Sequence, residues 1–134
     1  MNRQLKFRVW DKLAKVYIYP DKGYQGHYIL TLNGLFNNLQ NGSGSEEYEV
    51  EQWTGLIDKM GRDIYSGDIV SFEYEEGEKQ EDVRKDRGEV VFKDGMFCFK
   101  SGVWWATNDL NFRVDSLLLI GNMNQTPELL KNEN

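Results

Sequence analysis

Three aspartates recur at five-residue intervals, Asp58, Asp63 and Asp68, inside residues 52–70 (QWTGLIDKMGRDIYSGDIV). Carboxylates in series are the ligands a hard cation takes. Such a site needs about six oxygens, and its calcium-loop form has tighter spacing and a closing Glu that this stretch lacks. Turn chemistry accounts for the same residues with fewer demands. Asp58-Lys59-Met60-Gly61 reads as a four-residue turn, in which the first-position Asp bonds the backbone two residues on and the last-position Gly accepts a positive φ. Ser66-Gly67-Asp68 reads as a second turn. Asp58 and Asp68 then stabilise turns, and Asp63 sits in an exposed hairpin arm. Together with Gly55, Gly61 and Gly67, the two turn aspartates form a structural signature rather than a reaction centre.

His27 and Cys98 are the sole histidine and the sole cysteine. A catalytic dyad needs them within hydrogen-bond reach and a thiol of lowered pKa. Cys98 lies between Phe97 and Phe99 in an alternating strand, where an inert thiol is the ordinary outcome, and His27 lies in a glycine-bounded loop. One of each falls short of a structural zinc site. No G-x-S-x-G presents a serine. Gly42-Ser43-Gly44-Ser45 lacks the lysine and flanking helix of a phosphate loop. Carboxylates are plentiful, yet nothing singles out the pair that glycoside hydrolysis requires. The expectation is therefore a non-enzyme with no catalytic residue, cofactor or metal. Trp104-Trp105 is the more informative pair: neighbours on a strand face opposite sides, so one packs inside and the other looks out. With Trp10 and Arg8 it outlines an interaction surface. An outward Trp stacks a nucleobase or meets another subunit. The formal charge of −6 disfavours nucleic acid, whose affinity comes largely from phosphate neutralisation.

The elements that must position these residues are mostly strands. The 134-residue chain is 13% aromatic with two prolines, a mix that suits strands, and its length suits one domain or two small lobes. It needs no disulfide to fold. Residues 1–15 sum to +4 and residues 46–89 to −9. That asymmetry suits packing between lobes or subunits, and equally two solvated strand edges. The lone cysteine fits a reducing cytoplasm. No apolar run resembles a signal sequence or approaches the ~20 residues of a membrane span, so a soluble, cytosolic protein is expected.

Residues 5–10 and 16–19 predict a hairpin ended by Pro20, with Leu5, Phe7 and Val9 on one face and Lys6, Arg8 and Trp10 on the other. Gly23 and Gly26 punctuate a loop before a strand at 28–32. Leu35, Phe36 and Leu39 have helical spacing among asparagines, which predicts a short helix. The linker-like NGSGS at 41–45 places the boundary between an N-terminal β lobe, 1–45, and a main body, 46–134. Residues 75–87 carry six acids and four bases with one apolar residue, Val83, and predict an exposed excursion between strands. Lys93-Asp94-Gly95 joins alternating arms in the strongest hairpin. Residues 103–107 form another strand, and the apolar run 117–120 predicts a central buried one. Thr126 as N-cap, Pro127 and Glu128 predict a short final helix. About six short strands with tight turns after residue 47 describe a small, strongly bent sheet or barrel.

Three blocks resemble the YopX family of phage and prophage proteins from Gram-positive bacteria: Lys6-Phe7-Arg8-Val9-Trp10-Asp11, residues 52–70, and Ile120-Gly121-Asn122 followed by Thr126-Pro127-Glu128-Leu129-Leu130. The resemblance spans nearly the whole chain except residues 23–48 and the charged stretch after Tyr74. It implies a phage-derived protein with no catalytic residue to carry over. It also implies a C-terminal part similar to the small barrels of Src-homology modules, so the expected fold is mainly β, a β lobe followed by such a barrel and a short helix. The shared residues specify a backbone more readily than a reaction. The expected function is a binding or assembly module that associates with itself or with a phage or host protein. Single-stranded nucleic-acid binding, or an accessory role in a phage replication or transcription complex, is the alternative.

Overall fold

A computed structural model describes residues 4–19, 28–39, 44–76, 82–107, 109 and 112–131. Pro20, Gly23, Gly26 and His27, residues 41–43 of the linker-like stretch and residues 77–81 of the charged stretch lie outside them, and so does any pairing of His27 with Cys98. The protein is mainly β, and the chain divides into two compact units, Met1–Trp53 and Thr54–Asn134.

In the N-terminal unit, β1 (Phe7–Asp11) and β2 (Val16–Ile18) form the first hairpin. Asp11 shapes its turn: Oδ1 accepts the amides of Leu13 and Ala14, each at 3.0 Å. A separate hairpin, β3 (Tyr28–Leu30) and β4 (Phe36–Asn38), stands where the Leu35, Phe36, Leu39 spacing predicts a helix. The burial there has period two. Phe36 and Asn38 are buried while Leu35 and Leu39 are exposed, and Thr31 ties the turn by exchanging backbone and hydroxyl bonds with Leu35. A 3-10 turn at Ser45–Glu47 leads into β5 (Tyr48–Ile57). The first half of β5 pairs with β1, Val9 opposite Val50, which keeps residues 46–53 with the N-terminal unit instead of the body expected to begin at 46. Val9, Ile18, Phe36 and Tyr48 form this unit's core.

The C-terminal unit holds β6 (Asp63–Tyr65), β7 (Asp68–Glu76), β8 (Asp82–Lys93), β9 (Met96–Lys100), β10 (Trp104–Ala106) and β11 (Phe112–Asn122). The last five make one curled, half-barrel sheet in the order β10-β9-β8-β7-β11. Inside it pack Val70, Phe72, Val90, Phe99, Phe112 and Leu117, with Ile64 of β6. Phe72 has the rings of Phe99, Phe112 and Trp105 within 5.2–5.7 Å, mostly tilted or edge-on, the geometry the aromatic quadrupole favours. The β8–β9 turn has positive φ at both Asp94 (54°) and Gly95 (81°), as the twist of a two-residue hairpin demands.

Three expectations change. The charged stretch is strand wherever it is described, because β7 runs to Glu76 and β8 starts at Asp82. Backbone pairing with β7 orders it: Glu73 stands opposite Lys85 in register, and Arg113 bridges Glu73 and Glu75 at 3.6 and 3.4 Å. The apolar run 117–120 is not central: β11 ends the sheet, and only Leu117 of that run is fully buried. The final helix is a 3-10 turn, Pro127–Leu130, and Thr126 does not cap it. The Thr126 hydroxyl instead accepts the Asn122 amide at 3.0 Å and donates to the Asn122 carbonyl.

That terminal turn lies against Gly121, where a Cβ would collide with Thr126 Oγ1 and come within 2.7 Å of Leu129 Cδ1. Gly121→Ala should cost about 1–3 kcal/mol in denaturant unfolding, the usual penalty of overpacking. Gly102→Ala, built into open space, should stay within about 0.5 kcal/mol. Equal effects at the two positions would contradict the close approach.

Candidate interaction surface

Asp58 closes the turn between β5 and β6. Its carbonyl accepts the Gly61 amide at 2.9 Å, and Gly61 takes a φ of 83°. Its carboxylate is fully engaged. Oδ1 accepts the amides of Met60 and Arg62, both at 2.9 Å. Oδ2 accepts Arg62 Nε at 3.0 Å and the Leu119 amide at 2.9 Å. Arg62 Nη2 then donates to the Leu119 carbonyl at 2.8 Å, and the Lys59 amide donates to the Leu117 carbonyl at 2.8 Å. The turn thus bonds along the outer edge of β11 as a neighbouring strand would. Burial alone would raise the Asp58 carboxyl pKa. The bonds from Leu119, Arg62 and Met60 together outweigh it and hold the group below the ordinary 3.8.

Asp68 is completely buried, and its Oδ2 accepts the Tyr65 amide at 2.7 Å. Within this turn Gly67 adopts a φ of 87°, donates to the Val90 carbonyl and accepts the Met123 amide. Asp63 is half-buried in β6, not exposed, and Gly55 has a φ of 89° within β5. Among the described residues, no group of three or more His, Cys, Asp or Glu side chains is placed to hold a metal ion. Cys98 is buried, its Sγ 3.9 Å from the Met96 carbonyl.

The structure separates the four surface candidates. Arg8 and Trp10 are buried, 4% and 6% exposed, and are corrected to interior groups. The reason is that β1 is flanked on both sides: Arg8 pairs with Glu51 of β5 at 2.8 Å and lies 4.2 Å from the ring of Tyr17 on β2, which packs on Trp10 at 4.8 Å. Trp105 turns inward, half-buried against Tyr74 and Phe72, and its Nε1 donates to Asp86 at 3.1 Å beside the Ser101 hydroxyl. Trp104 is the outward one, 48% exposed.

Trp104 sits on β10, at the end of the sheet order. Among the described residues no strand pairs with its outer edge. Lys100 is its cross-strand partner on β9, and the ammonium groups of Lys93 and Lys100 lie 4.8 and 5.5 Å from the ring centroid. These lysines were not evident in the sequence, because their approach depends on the β8–β9–β10 register; the β8–β9 hairpin was readable, but nothing local fixed where β10 would pair. On the same face Glu89 is partly buried, which raises its carboxyl pKa against the opposing pull of Lys100. In the N-terminal unit, an apolar cavity of about 520 Å³ lies among Leu5, Phe7, Val9, Leu30 and Phe36, with Gln4 and Lys6 also lining it. No described helix is long and apolar enough to cross a membrane.

Removing the Asp58 carboxylate strands the Leu119 amide and Arg62, so Asp58→Ala should cost on the order of 3 kcal/mol at neutral pH. A folded-state pKa below the ordinary one means that the unfolded chain holds the proton more tightly. The contribution is therefore fully present above the ordinary value of 3.8 and is lost below it, as the pH falls through the lower folded-state value. Urea unfolding of both proteins across the acid range should show the gap narrowing there. A gap that is absent at neutral pH, or unchanged in acid, contradicts the assignment.

The chain was compared with known proteins. None of the curated proteins matches it. Two solved structures are similar along nearly their whole length. Protein EF1440 from Enterococcus faecalis is 25% identical with a TM-score of 0.56, over 97% of this chain and 100% of that one. Protein yopX from Bacillus subtilis is 21% identical with a TM-score of 0.58, over 96% and 97%. The family model of the YopX protein matches residues 6–131. With that match covering nearly all of the chain and the same fold in both solved structures, the chain belongs to the YopX protein family.

Proposed function

We propose that this protein is a non-enzymatic binding module, encoded by a prophage and working in the cytoplasm, that assembles with other polypeptide chains through the open end of its five-stranded sheet. Trp104 carries the reading. A large aromatic is half exposed on a short edge strand, the setting in which edges pair and aromatic anchors dominate an interface. The residues with chemical potential are engaged in structure instead: Asp58 and Asp68 hold turns and Cys98 is buried. The prophage setting follows from the resemblance of the chain's three sequence blocks. Single-stranded nucleic acid is a second reading, favoured by the two ammonium groups beside the Trp104 ring. The −6 charge of the chain weighs against it.

Self-association is the form of this assembly that the solution mass reads directly. Light scattering on eluting protein should show a mass that climbs above the 15.7 kDa monomer as concentration rises, and Trp104→Ala should stay monomeric. A monodisperse wild-type monomer at high concentration, or a variant that associates as the wild type does, overturns this form of the reading.

A further inference from the structure

We propose that the open end of the sheet takes up an extended, carboxylate-bearing segment of another protein as a sixth strand beside β10. The inference rests on the binding-module reading and adds the chemistry of the partner.

The two ends of the sheet are finished differently. At β11, the amide of Leu119 and the carbonyls of Leu117 and Leu119 bond to Asp58, Lys59 and Arg62, so that edge has its surrogate strand. The sheet order stops at β10, where among the described residues no strand pairs beyond it and the Asp109 amide bonds the Ala106 carbonyl at 3.1 Å. A bare edge is a template for an added strand, whose main chain supplies affinity and whose alternate side chains supply specificity.

Charge selects which strand. The chain is acidic, yet the face beside this edge carries Lys93 and Lys100 around Trp104, with the partly buried Glu89 further inland opposite Lys100. By register both lysines stand inland of the ring, on β8 and β9, which leaves the other side of Trp104 toward the edge. Lys93 pairs with exposed Asp94 at 2.9 Å, a contact worth little in water and readily exchanged. An incoming strand that points carboxylates to this face meets both ammonium groups, and its apolar atoms cover the indole. A second copy fits less well, because pairing β10 with itself brings two more lysines to the same face. A nucleic acid would satisfy the lysines, but two of them fall short of a phosphate track.

The test uses the full chain and three labelled probes at low salt, followed by fluorescence anisotropy. They are a short peptide alternating threonine with glutamate, its threonine–lysine counterpart, and the glutamate peptide with alternate backbone nitrogens methylated. The glutamate peptide should bind roughly tenfold or more tighter than the lysine peptide, a discrimination of the size that charge complementarity gives. Methylation should abolish binding, and the exposed pair Lys93→Glu with Lys100→Glu should reverse the preference in a protein whose circular dichroism is unchanged. Equal binding of the two charges, indifference to methylation, or an oligothymidylate that binds through the same lysines in preference to the peptide overturns the proposal. Wild-type self-association through Trp104 without glutamate-peptide binding sinks this inference alone. Loss of neither on Trp104→Ala sinks the binding-module reading as well.

Discussion

A half-barrel sheet has two edges, and each must be paired, covered or left as a liability. In the C-terminal unit one carboxylate decides the matter at β11. Asp58 accepts the amides of its own turn on one oxygen, and Arg62 together with the Leu119 amide on the other. A four-residue turn is thereby converted into a strand substitute. Behind that edge the sheet curls around the inward stack of Phe72, Phe99 and Phe112.

The parts of this design that could be read from residues are those with a local cause. Asp58 to Gly61, Gly67 with Asp68, and Asp94-Gly95 name their own turns, because Asp and Gly have side-chain and backbone properties that few other residues share. What could not be read is what those residues touch at long range. The bond from Leu119 to Asp58 joins positions far apart in sequence, and no periodicity announces it. The same holds for Lys93 and Lys100, which meet Trp104 only once three strands are in register. Composition misled at residues 82–87, which are largely exposed yet form a strand because they pair in register with β7. It misled at Arg8 and Trp10 for a related reason, since an arginine can be interior when a carboxylate and an aromatic ring receive it.

The turn glycines of this chain acquire physical roles from this. Gly61 and Gly67 supply positive φ in two turns. Gly121 leaves room for the terminal 3-10 turn, whose Thr126 is bonded back to Asn122. That leaves the outward Trp104 and its lysines, a feature that contributes nothing to the core, as the feature with the most evident use toward another molecule.

The central claim is that the β11 edge is closed by side chains while the β10 edge is open. Amide hydrogen exchange of the native protein, resolved residue by residue by NMR, reads both edges at once. Closure predicts a Leu119 amide as slow as those of the sheet interior, beside β10 amides that exchange far faster. A Leu119 amide exchanging as fast as those of β10 would contradict the account.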